Sequence, residues 1–114
     1  MEPLSLYLHI PFCQQRCAYC DFNTYAGVEA LIPAYVNALC DEIAWMARSA
    51  PVRLPVHTVY FGGGTPSLLP SGSVAQIVET INAHMDLLAD VEITLEVNPG
   101  TVTYTSLKDY RSIG

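Results

Sequence analysis

Only five lysines and arginines stand against eleven aspartates and glutamates in the 114 residues, giving a formal net charge of -6. So few cations supply no basic patch able to neutralise a phosphate backbone, and nucleic acid is not an expected partner. No apolar run approaches the roughly 20 residues of a membrane span. Residues Met1 to Ile10 have neither the basic start nor the long apolar core of a signal peptide. Together these absences make a cytoplasmic protein with no membrane span the expectation. Charged residues amount to 14% and hydrophobic ones to 51%, a composition that excludes a disordered tail and leaves one compact domain as the ceiling. Low-complexity tracts, charge blocks and linkers are also missing. Cysteine is present four times, with three clustered between Cys13 and Cys20. In a reducing compartment such a cluster points to a metal or a catalytic role and not to structural disulfides.

The remaining signal is a regular alternation of strand and helix patterns. Ser5 to Ile10 alternates Leu6, Leu8 and Ile10 with Ser5, Tyr7 and His9, which predicts a strand ended by Pro11. From Pro33, Val36, Leu39, Ile43 and Met46 recur at helical steps until Pro51. Val56 to Phe61 reads as a second strand running into Gly62-Gly63-Gly64-Thr65-Pro66. A second helix is expected to start with a Ser73/Gln76 capping box and to carry Val74, Ile77, Val78, Ile81, Met85 and Leu88 on its apolar face. Val91 to Val97 alternates as a third strand, closed by Asn98-Pro99-Gly100. A short third helix from near Thr103 carries Leu107 and Tyr110 and stops at Gly114. Three βα units imply an α/β fold with parallel strands joined by right-handed crossovers. Three units cannot close a barrel of about 250 residues, so the chain is expected to be part of a larger one. A small free-standing three-layer domain is the alternative.

In parallel α/β folds the active site lies at the carboxyl ends of the strands. The unusual residues all fall there. Pro11 to Cys20 follows strand one, the Gly62 to Pro66 turn follows strand two, and Glu96 ends strand three. The C-x3-C-x2-C spacing lets the thiolates of Cys13, Cys17 and Cys20 wrap one iron-sulfur cluster from a single loop. Three ligands leave a fourth position open, which is the mark of a catalytic metal site. A Cys3His zinc site recruiting His9, in a structural zinc-binding module, is the competing reading. A thioredoxin-like pair at Cys17 and Cys20 is a further one. Cys40 reads as a small buried hydrophobe. His57 and His84 lie away from the strand ends, and Arg16 could offset cluster charge or simply face solvent.

Tyr7-Leu8-His9-Ile10-Pro11-Phe12-Cys13 through Cys20-Asp21-Phe22, Gly62-Gly63-Gly64-Thr65-Pro66-Ser67 and Glu96-Val97-Asn98-Pro99-Gly100-Thr101 together resemble the radical S-adenosylmethionine (SAM) proteins. More narrowly, they are similar to the branch holding the oxygen-independent coproporphyrinogen III oxidases and the related heme chaperones. The resemblance implies the N-terminal three βα units of a partial (β/α)6 barrel, with residues 1–114 an incomplete core domain and the rest of the barrel and a C-terminal domain outside it. It also implies a [4Fe-4S] cluster whose open iron binds SAM and whose electron cleaves it to methionine and a 5′-deoxyadenosyl radical. By the same resemblance, Cys13, Cys17 and Cys20 ligate the cluster, and Tyr7 lies beside SAM. Gly63, Gly64 and Thr65 meet the methionine amino end, Glu96 is the acidic contact, and Tyr19 packs near the adenine. The chemistry of these residue types agrees, because glycines allow close backbone approach and a carboxylate suits an ammonium group.

Within the branch, the oxidases usually carry another cysteine just after the third ligand and a longer segment before the first strand. Here Cys20 is followed by Asp21-Phe22-Asn23 and strand one begins almost at Met1. Both departures favour a heme chaperone that binds heme and passes it to an acceptor protein. Decarboxylation of coproporphyrinogen III is the alternative. The implied partners are heme or porphyrin, a heme acceptor protein and an electron donor such as flavodoxin or ferredoxin.

Overall fold

The computed structural model describes residues 2–13, 25–26 and 29–114. Five strands and three helices follow in order: β1 (Leu4–Ile10), β2 (Phe12–Cys13), β3 (Tyr25–Ala26), α1 (Ile32–Ser49), β4 (Pro55–Gly63), α2 (Ser71–His84), β5 (Asp86–Leu95) and α3 (Tyr104–Ile113). Strands β1, β4 and β5 form one sheet in that order, all parallel. This is the α/β arrangement of three βα units expected from the alternation, since a parallel pair must be joined by a crossover, here α1 and then α2. The short strands β2 and β3 pair separately, also in parallel.

The period of two in β1 decides which side of the sheet is covered. Leu8 and Ile10 are buried with Val56, Val59 and Phe61 of β4 beneath Val36, Cys40 and Ile43 of α1 and Val74, Ile77 and Ile81 of α2. Cys40 is part of this core, as its place on the helix predicts. The opposite face carries Ser5, Tyr7 and His9, aligned with Thr58, Tyr60 and Gly62. On that side Tyr7 and Tyr60 stay exposed, at 58% and 39%. A parallel sheet normally covers both faces, whereas this polar face lacks a covering helix among the described residues. Among the described residues no helix is long and apolar enough to cross a membrane.

Two local expectations are corrected. Helix α2 starts after Pro70 with no side-chain cap, and Gln76 donates instead to Asn37 on α1 at 2.9 Å, so the Ser73/Gln76 capping box does not form. The helix also ends at His84, which places Leu88 in β5 and not on a helical face. Its apolar period does continue through Met85 and Leu88, but a tertiary contact overrides it. Arg53 donates to the carbonyls of Asn82 (2.9 Å) and Met85 (2.7 Å) and more weakly to that of Ala83 (3.4 Å). The guanidinium thus satisfies carbonyls that another helical turn would use. The next amide, Asp86 N–H, turns to Leu54 O at 2.8 Å and opens the strand. Helix α3 begins as expected, with Thr103 and Ser106 capping each other reciprocally at 3.1 and 2.8 Å.

Candidate functional site

The β2/β3 pairing sets Phe12 opposite Tyr25 and Cys13 opposite Ala26. Cys17, Tyr19, Cys20 and Arg16 lie outside the described residues. Cys13 is buried at 8% exposure and sits against the glycine turn after β4. Gly64 N–H donates to Ile10 O at 2.8 Å and Thr65 N–H to Phe12 O at 2.7 Å, stitching that turn along the start of the cysteine segment. A Cβ on Gly64 would lie 2.6 Å from Phe12 O and 3.1 Å from Cys13 Sγ. Only a residue without a side chain allows this approach.

Gly63 is needed for a different reason. Its φ of +108° lies where side chains are disfavoured, and a Cβ there would come within 2.8 Å of the His9 ring. This turn aims the Gly63 N–H at Glu96 Oε1, 3.1 Å away across the sheet. The other carboxylate oxygen accepts from Tyr60 OH at 3.0 Å. Glu96 itself is placed by its own N–H, which donates to Phe61 O at 3.1 Å and carries the ladder one residue beyond β5. Tyr60 stacks on Tyr7 with centroids 6.0 Å apart and planes 16° apart, and Tyr7 OH lies 3.4 Å from His9 Nδ1. The hydrogen bond to Glu96 is the main reason the Tyr60 phenol titrates above its ordinary value, with lesser contributions from burial and from the nearby charge. Tyr60 is therefore a donor to the carboxylate at neutral pH.

Gly63, Gly64, Thr65, Glu96, Asn98 and Pro99 border an open cleft of about 430 Å³, within the size range of small-molecule sites. Four of the residues singled out in the sequence thus meet here, with Cys13 against Gly64 and Tyr7 one residue-width away beside Gly62. His57 instead bonds Ser5 at 3.0 Å and His84 bonds Thr80 O at 2.9 Å, both away from the cleft.

Four contributors escaped sequence reasoning. Buried Ser67 accepts from Asn98 N–H at 3.0 Å, tying the glycine turn to the loop after β5. Thr101 Oγ1 donates to Asn98 O at 2.7 Å, so its single proton is used and Ser67 Oγ donates to it. Tyr110 OH on α3 donates its one proton to Leu69 O, with Ser67 O 3.1 Å away. Tyr60 is the fourth, and β4 alternation alone would have put it on the Tyr7 face.

The sequence profile of the Radical SAM superfamily matches residues 7–114. The chain is 40% identical over its whole length to "Heme chaperone HemW" of Synechocystis sp. and 42% identical to that of Escherichia coli, covering 28% and 30% of those proteins. Among solved structures, the Escherichia coli coproporphyrinogen III oxidase (HemN), described as a radical SAM enzyme, superposes with a TM-score of 0.89 at 32% identity. That alignment takes in 98% of this chain and 26% of the oxidase. The chain thus spans less than a third of the length of these relatives. Its three βα units match the barrel fold of the oxidase. The family implies a [4Fe-4S] cluster and SAM. Of the residues that would hold them, those described are Cys13, buried against a glycine that tolerates no Cβ, and Glu96, whose carboxylate borders a glycine-walled cleft. The chain belongs to the radical SAM superfamily.

Proposed function

We propose that this chain carries the N-terminal part of the radical SAM core of a heme chaperone, a cytoplasmic protein that binds heme and hands it to an acceptor protein. The convergence of Cys13, the Gly63 to Thr65 turn and Glu96 at the carboxyl ends of three adjacent strands supports the site within this reading. The heme assignment within the family rests on identities of 40% and 42% to two proteins of that name, above the 32% shared with the oxidase. It also rests on the run Cys20-Asp21-Phe22, with no further cysteine next to the third ligand.

In this proposal Cys13, Cys17 and Cys20 would hold the cluster, and the residues of the cleft would hold SAM. When bound, the cluster supplies an electron from a flavodoxin- or ferredoxin-type donor for reductive cleavage of SAM. The protein's own residues bind and orient. Glu96 faces the ligand's ammonium group with its charge, and Gly63 and Gly64 let the backbone come close enough to bond it. Thr65 offers a hydroxyl at the same wall, Tyr7 would lie beside SAM, and Tyr19 would pack near its adenine. Cys13 is buried beside Gly64.

Oxidative decarboxylation of coproporphyrinogen III is the second reading, favoured by the close superposition on the oxidase. The two separate in the intact protein. A heme titration is expected to show saturable binding, while incubation with coproporphyrinogen III, SAM and a reductant yields no protoporphyrinogen. Protoporphyrinogen formation would reverse the assignment.

A further inference from the structure

We propose that Tyr60 is a positioning residue that pins the Glu96 carboxylate at the wall of the cleft, a role that rests on reading Glu96 as the contact for the ammonium group of SAM. Glu96 lies just past the last residue of β5, which pairs only with β4 among the described residues, and its backbone is held there by one bond, Glu96 N–H to Phe61 O at 3.1 Å. Its long side chain would otherwise sample several rotamers in solvent. Two donors from β4, three residues apart, take one oxygen each: Tyr60 OH on Oε2 and Gly63 N–H on Oε1. A carboxylate has about four acceptor positions, so this leaves others for a ligand while removing the freedom to turn away.

Tyr60 is itself well held for the task. Its ring stacks on Tyr7, and the missing side chain of Gly62 gives it room, since a Cβ there would lie 2.8 Å from Tyr60 Cε1 and 3.0 Å from Glu96 Oε1. The ring is 39% exposed on the polar face, so its hydroxyl could have been satisfied by water. Its bond to Glu96 therefore does little for the core, and its consequence is to orient the carboxylate. The elevated phenol pKa is consistent with a proton kept on Tyr60 by that bond.

The test uses the intact protein with its cluster reconstituted anaerobically, and reads SAM affinity from the change in the electron paramagnetic resonance signal of the reduced cluster. Tyr60→Phe keeps the ring and its stack, and is expected to weaken SAM binding about tenfold, the worth of one hydrogen bond to a charged group. Iron content and thermal midpoint should stay at wild-type values. In a Glu96→Ala background the same Tyr60→Phe change should cost less than about twofold, because its partner is already gone. Wild-type affinity in Tyr60→Phe, or an equal loss in both backgrounds, would overturn the proposal. If the wild type binds no SAM, or Glu96→Ala leaves affinity unchanged, the reading of Glu96 falls first and the role of Tyr60 with it, a result visible without touching Tyr60.

Discussion

Replacing Gly64 with alanine adds one methyl group, yet the surroundings make it a severe change. The new Cβ would meet Phe12 O at 2.6 Å, Ile10 O at 3.0 Å and Cys13 Sγ at 3.1 Å. Two of these atoms are backbone carbonyls already accepting from Gly64 N–H and Thr65 N–H, so they cannot retreat without breaking those bonds. Overpacking of this kind costs about 1–3 kcal/mol. Losing two backbone hydrogen bonds adds about 1 kcal/mol each. A total of about 3–5 kcal/mol follows, and the displacement falls on Cys13, the first cysteine of the proposed cluster segment. Gly72→Ala is the internal control: no atom lies within 4 Å of a Cβ there, and the residue sits in the first turn of α2. It should leave stability unchanged or raise it by up to about 1 kcal/mol. Urea unfolding and iron content of the reconstituted intact protein report both effects. Gly64→Ala is expected to lose stability and most of its iron, and Gly72→Ala neither. A Gly64→Ala protein with wild-type stability and iron would refute the close apposition of glycine turn and cysteine.

Arg53→Ala should destabilise by about 1 kcal/mol in urea unfolding, because the carbonyls its fork caps at the end of α2 must then be satisfied by water. Arg53→Lys should recover only part of this, since an ammonium cannot span the same carbonyls. The phenols of Tyr35 and Tyr110 both titrate above the ordinary 10.0, chiefly through burial. A raised folded value means that their contribution is fully present below that pH and is lost as pH rises through the raised values. Urea midpoints should therefore fall on the alkaline side of pH 10, and Tyr110→Phe should flatten part of that fall. At neutral pH the same variant should cost about 1–2 kcal/mol, since its hydroxyl joins α3 to the carbonyls of Ser67 and Leu69.

What could be read before the structure was whatever depends on local period and on short-range chemistry. Alternation gave β1 and β-branched and aromatic composition gave β4, each to within a few residues, and Leu8, Ile10, Val59 and Phe61 are buried together. The end of α2 escaped because it depends on Arg53, a residue some thirty positions away whose guanidinium no periodicity reports. The absent Ser73/Gln76 box failed for a similar reason, as Gln76 found a better partner on α1. At the site, Gly63, Gly64, Thr65 and Glu96 were singled out by the family resemblance, and the fold gathers them at one cleft because they follow neighbouring strands. Ser67, Thr101 and Tyr110 were not, because a serine in a turn and a tyrosine on a helix look ordinary until the fold brings them within bonding distance. Tyr60 lay between the two cases: its face was predictable, but its bond to Glu96 depends on the register of β4 against β5.

Iron binding by the three thiolates is the premise beneath the rest, and metal analysis of the intact protein tests it most directly. Anaerobic reconstitution with iron and sulfide is expected to give a coloured [4Fe-4S] protein whose reduced signal changes on adding SAM, and a protein with Cys13, Cys17 and Cys20 all replaced by alanine should hold none. A colourless zinc protein, or undiminished iron uptake by the triple variant, would contradict it.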